Sequence, residues 1–190
     1  MNKDLDEALC RDFPEIFRNR HGNMATTAMC WGFSCGEGWE PLIRATCERL
    51  MSPVKRTRHD IENLKEYLAI EDKSNWTDWQ KSYYTQDRLV ELEAKLKELE
   101  EKIPVAAQVK EKFGGLRFYV HGATEEQYEI IHNAEAMSYY VCEECGTMKT
   151  ARLYSFGWYR TLCDQHADEN YGSEAADFRN KTGDWADEEA

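Results

Sequence analysis

Four residues in the last third of the chain, Cys142, Cys145, Cys163 and His166, constrain its folding more than any other feature. They stand as Cys142-Glu-Glu-Cys145-Gly146 and Cys163-Asp-Gln-His166, with seventeen residues between Cys145 and Cys163. Two residues between paired ligands let a tight turn aim both side chains at one metal ion. Gly146 can take the positive φ that such a knuckle requires. Three thiolates and one imidazole suit Zn2+ in a tetrahedral shell, and four protein ligands leave no position for water, so the spacing predicts a structural site. The competing explanations are a disulfide between Cys142 and Cys145, or four residues with no common role. Between the two pairs, residues 151–154 and 158–162 read as short strands around Ser155-Phe-Gly157, and the second pair opens a short helix. Knuckle, hairpin, then ligands on a helix is the order of a treble-clef zinc module, expected over residues 142–171.

Such a module occupies a small part of 190 residues, so the remainder is large enough for one substantial core. Apolar residues make up 42%, and six Trp and ten Tyr supply bulky side chains for core and binding surface. The net charge of -12 argues against general DNA binding, which needs a basic surface, but would suit a mimic of nucleic acid. No run of eighteen apolar residues predicts a membrane span, and the charged start Met1-Asn-Lys-Asp-Leu-Asp-Glu does not read as a signal peptide. The expected setting is therefore cytoplasmic, where Cys10, Cys30, Cys35 and Cys47 remain thiols.

Along the chain the periodicity changes three times. Residues 4–20 read as helix, with Leu5, Leu9, Phe13, Ile16 and Phe17 apolar and Pro14 dividing it into two pieces. The compact stretch Met29-Cys-Trp-Gly-Phe-Ser-Cys-Gly-Glu-Gly-Trp39 follows, and a helix is expected from Trp39, carrying Leu42, Ile43, Ala45, Cys47 and Leu50, until Ser52-Pro53 ends it. Residues 54–72 place Ile61, Leu64 and Leu68 at helical spacing. Residues 78–103 carry a heptad seam of Leu89, Leu92, Leu96, Leu99 and Ile103. These two predict a helical-hairpin arm over 53–103, either structural or dimerising. From Val105 the period becomes two: strands flank a Gly114-Gly115 turn that pairs Phe113 with Leu116 and Lys112 with Arg117. Thr124 and Gln127 form a capping box for a helix bearing Tyr128, Ile131, Ala134 and Met137. The expectation is an α+β body over 1–52 and 104–141, with a short antiparallel sheet packed by helices, and an acidic, disordered tail over 172–190.

The hairpin supplies the candidate binding residues. One of its faces carries Gln108, Lys110, Lys112, Arg117, Tyr119 and His121, a cationic and aromatic surface on an acidic chain. Arg can fork two hydrogen bonds onto phosphate, Lys adds charge, and Tyr can stack on a base; an ordinary solvated face is the plainer explanation. Arg18, Arg20 and His21 would extend the patch if the first helix packs nearby. A second candidate is Gly36-Glu-Gly38 ahead of the Trp39 helix, where free amides can hold an anion beside Trp31 and Trp39. Cys35 near that helix start could act as a nucleophile with His21, His59, His121 or His132 as base, but no spacing selects one.

Phe13-Pro-Glu-Ile-Phe, Cys30-Trp-Gly-Phe-Ser-Cys-Gly-Glu-Gly-Trp-Glu-Pro-Leu-Ile43, Gln108-Val-Lys-Glu-Lys-Phe-Gly-Gly-Leu-Arg-Phe-Tyr119 and Gly157-Trp-Tyr-Arg-Thr-Leu-Cys163 together resemble a group of small bacteriophage proteins of unassigned function. The resemblance covers most of the chain outside the arm and the tail, and the arm looks like an insertion relative to shorter members. It implies a phage accessory protein, a class that includes inhibitors of bacterial immunity, acting in the bacterial host cell; it implies no catalytic residues. The leading expectation is capture of a phosphate-bearing nucleotide signal. The others are a protein-binding inhibitor or DNA mimic that blocks a host enzyme, and a nucleotide-processing enzyme.

Overall fold

Asn2 accepts a hydrogen bond from the Leu5 amide and starts helix α1 (Lys3–Asp12) in the computed structural model of the chain, which describes residues 1–182. Beyond Pro14 the chain runs in hydrogen-bonded turns, not in the second helical piece expected. Phe13, Ile16 and Phe17 are buried there, and the Ile16 carbonyl accepts the Ala106 amide at 2.8 Å, so tertiary bonding replaces the helical ladder. Two short 3-10 turns, Ala28–Trp31 and Glu37–Trp39, bracket strand β1 (Phe33–Ser34).

Helix α2 (Glu40–Leu68) begins where expected, with Pro41 in its first turn, but it does not stop at Ser52-Pro53. Pro53 lies inside it and offers no amide to the carbonyl of Arg49. Leu50, Met51 and Val54 are buried on either side, and this packing keeps the helix continuous through the missing bond. The arm is thus the outward continuation of a core helix. Its return strand is also divided: α3 (Asp78–Tyr83) ends at Tyr84, and Thr85 caps α4 (Gln86–Glu101). Ion pairs Arg58–Glu100 and Lys65–Glu93, both 2.7 Å, fix α4 antiparallel to α2. Ile61, Leu64 and Leu89 form the arm's own buried cluster, whereas Leu96 and Leu99 pack against the main core and Ile103 belongs to it.

The main sheet has the order β1-β2-β3. Strand β2 (Val105–Lys112) pairs antiparallel with β3 (Gly115–His121), and β1 adds in parallel to β2, which makes the sheet mixed. The hairpin turns at Phe113-Gly114, not at Gly114-Gly115. Phe113 and Gly114 have φ of 55° and 74°, the double positive φ of a type I′ turn. The two glycines serve close approach: a Cβ on Gly114 would lie 2.1 Å from Leu153 Cδ1, and one on Gly115 2.4 Å from the Tyr139 ring. Lys110 therefore faces Arg117, and Lys112 faces Gly115. From Gln108 to Lys112 each cross-strand partner moves by two residues, so these side chains keep their expected faces, and an irregularity between Ala106 and Gln108 moves the remaining pairs by three; Phe113 leaves the core face for the exposed turn. The open edge of β3 is closed by side chains, with the Leu116 amide donating to Ser138 Oγ and the Phe118 amide to Glu135 Oε1, both 2.8 Å.

Helix α5 (Glu125–Met137) starts at the Thr124–Gln127 capping box and buries Ile131 and Ala134. The core behind the sheet gathers Phe17, Phe33, Trp39, Ile43, Val109, Leu116, Phe118 and Ile131. The C-terminal module comprises the hairpin β4 (Arg152–Ser155) and β5 (Tyr159–Leu162), then α6 (Asp164–Tyr171) and α7 (Ser173–Thr182). The composition of 172–190 suggested disorder, but residues 173–182 are helical, with Ala175 buried and Phe178 packed on Tyr154 and Phe156. The remainder of that tail lies outside the described residues. Among the described residues no helix is long and apolar enough to cross a membrane.

Candidate metal centre

Residues 142–147 fold into a knuckle because Gly146 (φ 75°) lets its amide turn back to the Cys142 carbonyl at 2.9 Å, while the Cys142 amide donates to Thr147 at 2.8 Å. That turn sets Cys142 and Cys145 side by side. Strand β5 delivers Cys163 to the start of α6, and one helical turn later His166 points the same way. The four ligand atoms all lie within 4.8 Å of one another. Cys145 Sγ is 3.9 Å from Cys163 Sγ, and His166 Nδ1 lies 3.6 Å from Cys142 Sγ and 3.2 Å from Cys163 Sγ. A tetrahedral ion with Zn–S of about 2.3 Å and Zn–N of about 2.0 Å separates its ligands by roughly 3.5–3.8 Å. The donor set and spacing fit a metal ion of that kind, with Nδ1 as the imidazole ligand. His166 Nε2 faces outward to Glu169 Oε2, 3.9 Å away. All seven cysteines are free, which removes the alternative of a Cys142–Cys145 disulfide.

The knuckle also fastens the module to the body, through a residue that sequence reasoning passed over. Glu143, between the first two ligands, is buried. Its carboxylate accepts the Gly36 amide at 2.9 Å, its carbonyl accepts the Gly38 amide at 2.8 Å, and its own amide donates to Thr161 of β5 at 2.9 Å. Burial pushes the Glu143 carboxyl above the usual range, while Arg160, 3.7 Å from the carboxylate, and the Gly36 amide oppose that shift. Gly38 sits so close that a Cβ there would stand 2.2 Å from the Cys142 carbonyl oxygen. Two glycines before a helix and an acid inside a metal knuckle were the available signals, and neither alone says that the two segments meet.

This contact overturns the anion site expected at Gly36-Glu-Gly38, because the protein's own acid already occupies those amides. Trp39 is not a ligand platform either: it is 0% exposed and donates its Nε1–H to the Val141 carbonyl at 2.8 Å. Trp31 is 68% exposed. Cys35 is buried, and desolvation pushes its thiol up to about 12, the reverse of what a nucleophile needs.

The sheet-face residues do come together. Lys110 pairs with Arg117, Gln108 with Tyr119 and Val105 with His121 across the strands, with Lys112 at the end of β2. Lys112, Tyr119 and His121 are exposed. Arg117 is half-buried and held by two bonds, from Nη1 to the Leu116 carbonyl at 2.7 Å and from Nη2 to the Tyr139 hydroxyl at 2.9 Å. The far end of the arm holds a cluster not singled out from sequence, although five aromatic residues between 67 and 84 announce it. Tyr67 stacks on Tyr84 at 4.1 Å with Trp76 against both, and Trp79 stacks on Tyr83 at 4.8 Å.

Comparison of the chain with family models, with curated proteins and with solved structures returns no match.

Proposed function

We propose that the chain acts by binding, without chemistry, and that its open sheet face takes a phosphate-bearing, nucleotide-like molecule. The observation that carries this reading is the cross-strand pairing of Lys110 with Arg117, with Tyr119 beside them, on a chain of net charge -12. Like charges placed directly opposite each other on a sheet repel, and an anion between them relieves that repulsion. Tyr139 and the Leu116 carbonyl preset the Arg117 fork, so less side-chain freedom is lost on binding, and its remaining N–H groups can meet phosphate. Tyr119 offers a ring for stacking on a base. The cluster at Cys142, Cys145, Cys163 and His166 is read as a structural Zn2+ site, since all four positions of a tetrahedral ion are filled by protein. The resemblance to phage accessory proteins gives this binding a purpose: withdrawal of a nucleotide immune signal in the cytoplasm of a bacterial host.

A second reading, a protein-binding inhibitor of a host enzyme, draws on the end of the arm, where Tyr67, Trp79 and Tyr83 are exposed. Aromatic side chains of this kind are frequent anchors of protein interfaces. A homodimer through the arm would use this outer surface, because the seam leucines are covered within one chain.

The test incubates the purified protein with a nucleotide pool, desalts it under native conditions and identifies what heat denaturation releases. Intact nucleotide retained by the native protein and lost in Arg117→Ala supports capture. Altered nucleotide would mean chemistry instead. Empty protein that co-purifies with a host protein, and no longer does so after Trp79→Ala, would replace the first reading by the second.

A further inference from the structure

We propose that the cleft between α1 and the turns that follow it is a separate anion site, shaped for a phosphate monoester carried on a flat apolar body. The cleft encloses about 400 Å³, and its lining includes four cationic side chains, Lys3, Arg11, Arg18 and Arg20, against two carboxylates, Asp6 and Glu7. Both carboxylates are engaged already. Asp6 accepts from Arg20 at 2.7 Å and from the Phe33 amide at 3.3 Å, and Glu7 lies 3.5 Å from Lys3. Arg11 leans out to Asp12, which it shares with Arg44.

Arg18 differs from the rest. Its Nη2 reaches only the Ile103 carbonyl, at 3.5 Å, and among the described residues it forms no ion pair. Arg18 is exposed and lines both this cleft and the neighbouring one that holds Glu15, Arg58 and Glu100, so in a cleft where cations outnumber carboxylates its guanidinium is a movable donor that an anion can draw in. The accessible apolar lining comes from exposed Pro14 and half-buried Cys10, with Phe17 buried behind them. An inorganic anion would leave that lining uncovered; a ring or base attached to the phosphate would cover it and gain from its burial. The proposal does not depend on the sheet face, since Arg117 lies on β3 and lines no part of this cleft.

The test is an NMR titration of the full, metal-loaded chain with phenyl phosphate, with inorganic phosphate and phenol as separate controls. Saturable shifts confined to residues 3–21 are expected, with phenyl phosphate at least about tenfold tighter than either control. Arg18→Ala should weaken phenyl phosphate by about tenfold or more, Arg18→Lys should recover part of that loss, and Arg117→Ala should change nothing. Equal affinity for phosphate and phenyl phosphate would remove the apolar lining from the site. Absence of saturation at concentrations on the order of 10 mM, or an Arg18→Ala variant that binds as the parent does, would overturn the proposal outright.

Discussion

The arm and the C-terminal module both extend from one core, yet they are held in different ways. The arm needs no separate anchor, because α2 runs without interruption from buried Ile43 to buried Leu64, and α4 returns through Leu99 and Ile103 into the same core. Its own cluster of Ile61, Leu64 and Leu89 stabilises the outer half alone. The module has two four-residue strands and a buried cluster of Cys142, Tyr154, Leu162, Cys163, Ala167 and Ala175, of which two members belong to the candidate metal centre. So little apolar surface cannot offset the entropy of ordering some forty residues, at about 1–2 kcal/mol of backbone entropy each. Continuity of a helix secures one region; the other has the Cys142, Cys145, Cys163 and His166 cluster, which would secure it once it holds an ion.

The largest effect should therefore come from the metal. Structural Zn2+ sites in small modules are worth on the order of 10 kcal/mol, so Cys163→Ser or strong chelation should abolish amide protection over residues 142–171. Loss should spread to residues 36–39, since Glu143 bonds Gly36 and Gly38 and the Val141 carbonyl accepts Trp39. The arm should keep its protection. Elemental analysis should find one zinc per native chain, and hydrogen exchange should read the rest. Full protection in a metal-free chain would erase the contrast between the two regions.

Next in size is the arm itself. Leu64→Ala leaves a cavity in the arm's small cluster and should cost about 2–4 kcal/mol locally, without loss of metal or of protection in the sheet. The same truncation at Val54, ten residues earlier on the same helix, should destabilise the whole body. Excision draws the boundary more sharply. The pairs Arg58–Glu100 and Lys65–Glu93 show which residues lie opposite, so joining 62 to 96 by a short Gly-Ser bridge should leave a folded, metal-loaded body. Removal of 54–102 should not, because Val54, Leu96 and Leu99 go with it. Cooperative thermal unfolding of the first deletion, and its absence in the second, is the outcome to check.

The two regions also differ in how far their sequences reveal them. The clustering of Cys142, Cys145, Cys163 and His166 could be read from spacing, because a Cys-x-x-Cys knuckle and a Cys-x-x-His helix start are local geometries. The strands of the two hairpins, the Thr124 cap and the faces of the β2–β3 hairpin were legible for the same reason, whereas two-residue β1 and its parallel pairing to β2 were not. Pro53 misled because its local cost, about 3 kcal/mol in a helix interior, was set against packing by Leu50, Met51 and Val54 that only the fold reveals. The turn was misplaced by one residue, since Gly114-Gly115 suits a tight turn on propensity, whereas contacts to Leu153 and Tyr139 decide where the glycines sit. Trp39 and Glu143 were hidden by distance: their partners lie 102 and 107 residues away in the chain.

A smaller effect tests the joint between body and module. Trp39→Phe keeps most of the ring in the core but removes the donor to Val141, leaving a buried carbonyl unpaired. The expected cost is about 1–3 kcal/mol in stability, with the metal retained. An unchanged denaturation midpoint would show that the Glu143 bonds and the Thr161 hydroxyl, which donates to the Gly114 carbonyl at 2.6 Å, join the two parts without the Trp39 bond.

The smallest effect concerns the thiols, and it separates body from module by chemistry. Cys35 and Cys47 are buried in the main core, and desolvation raises both thiols, Cys35 from 9.0 to about 12. Below pH 9 the thiol is protonated in the folded and unfolded chain alike, so it contributes no pH dependence. Between about 9 and 12 only the unfolded chain releases the proton, and stability falls as pH rises through that window. Denaturant midpoints measured from pH 8 to 11 should decline accordingly, and Cys35→Ala should reduce the slope. At pH 8 with chelator, an alkylating reagent should modify Cys142, Cys145 and Cys163, freed by loss of the ion, while Cys47 on α2 stays unmodified in the part of the core that keeps its protection. Modification of Cys47 at the same rate as Cys163 would mean that the body opens with the module, and that the helix through Pro53 and the metal knuckle stabilise one cooperative unit.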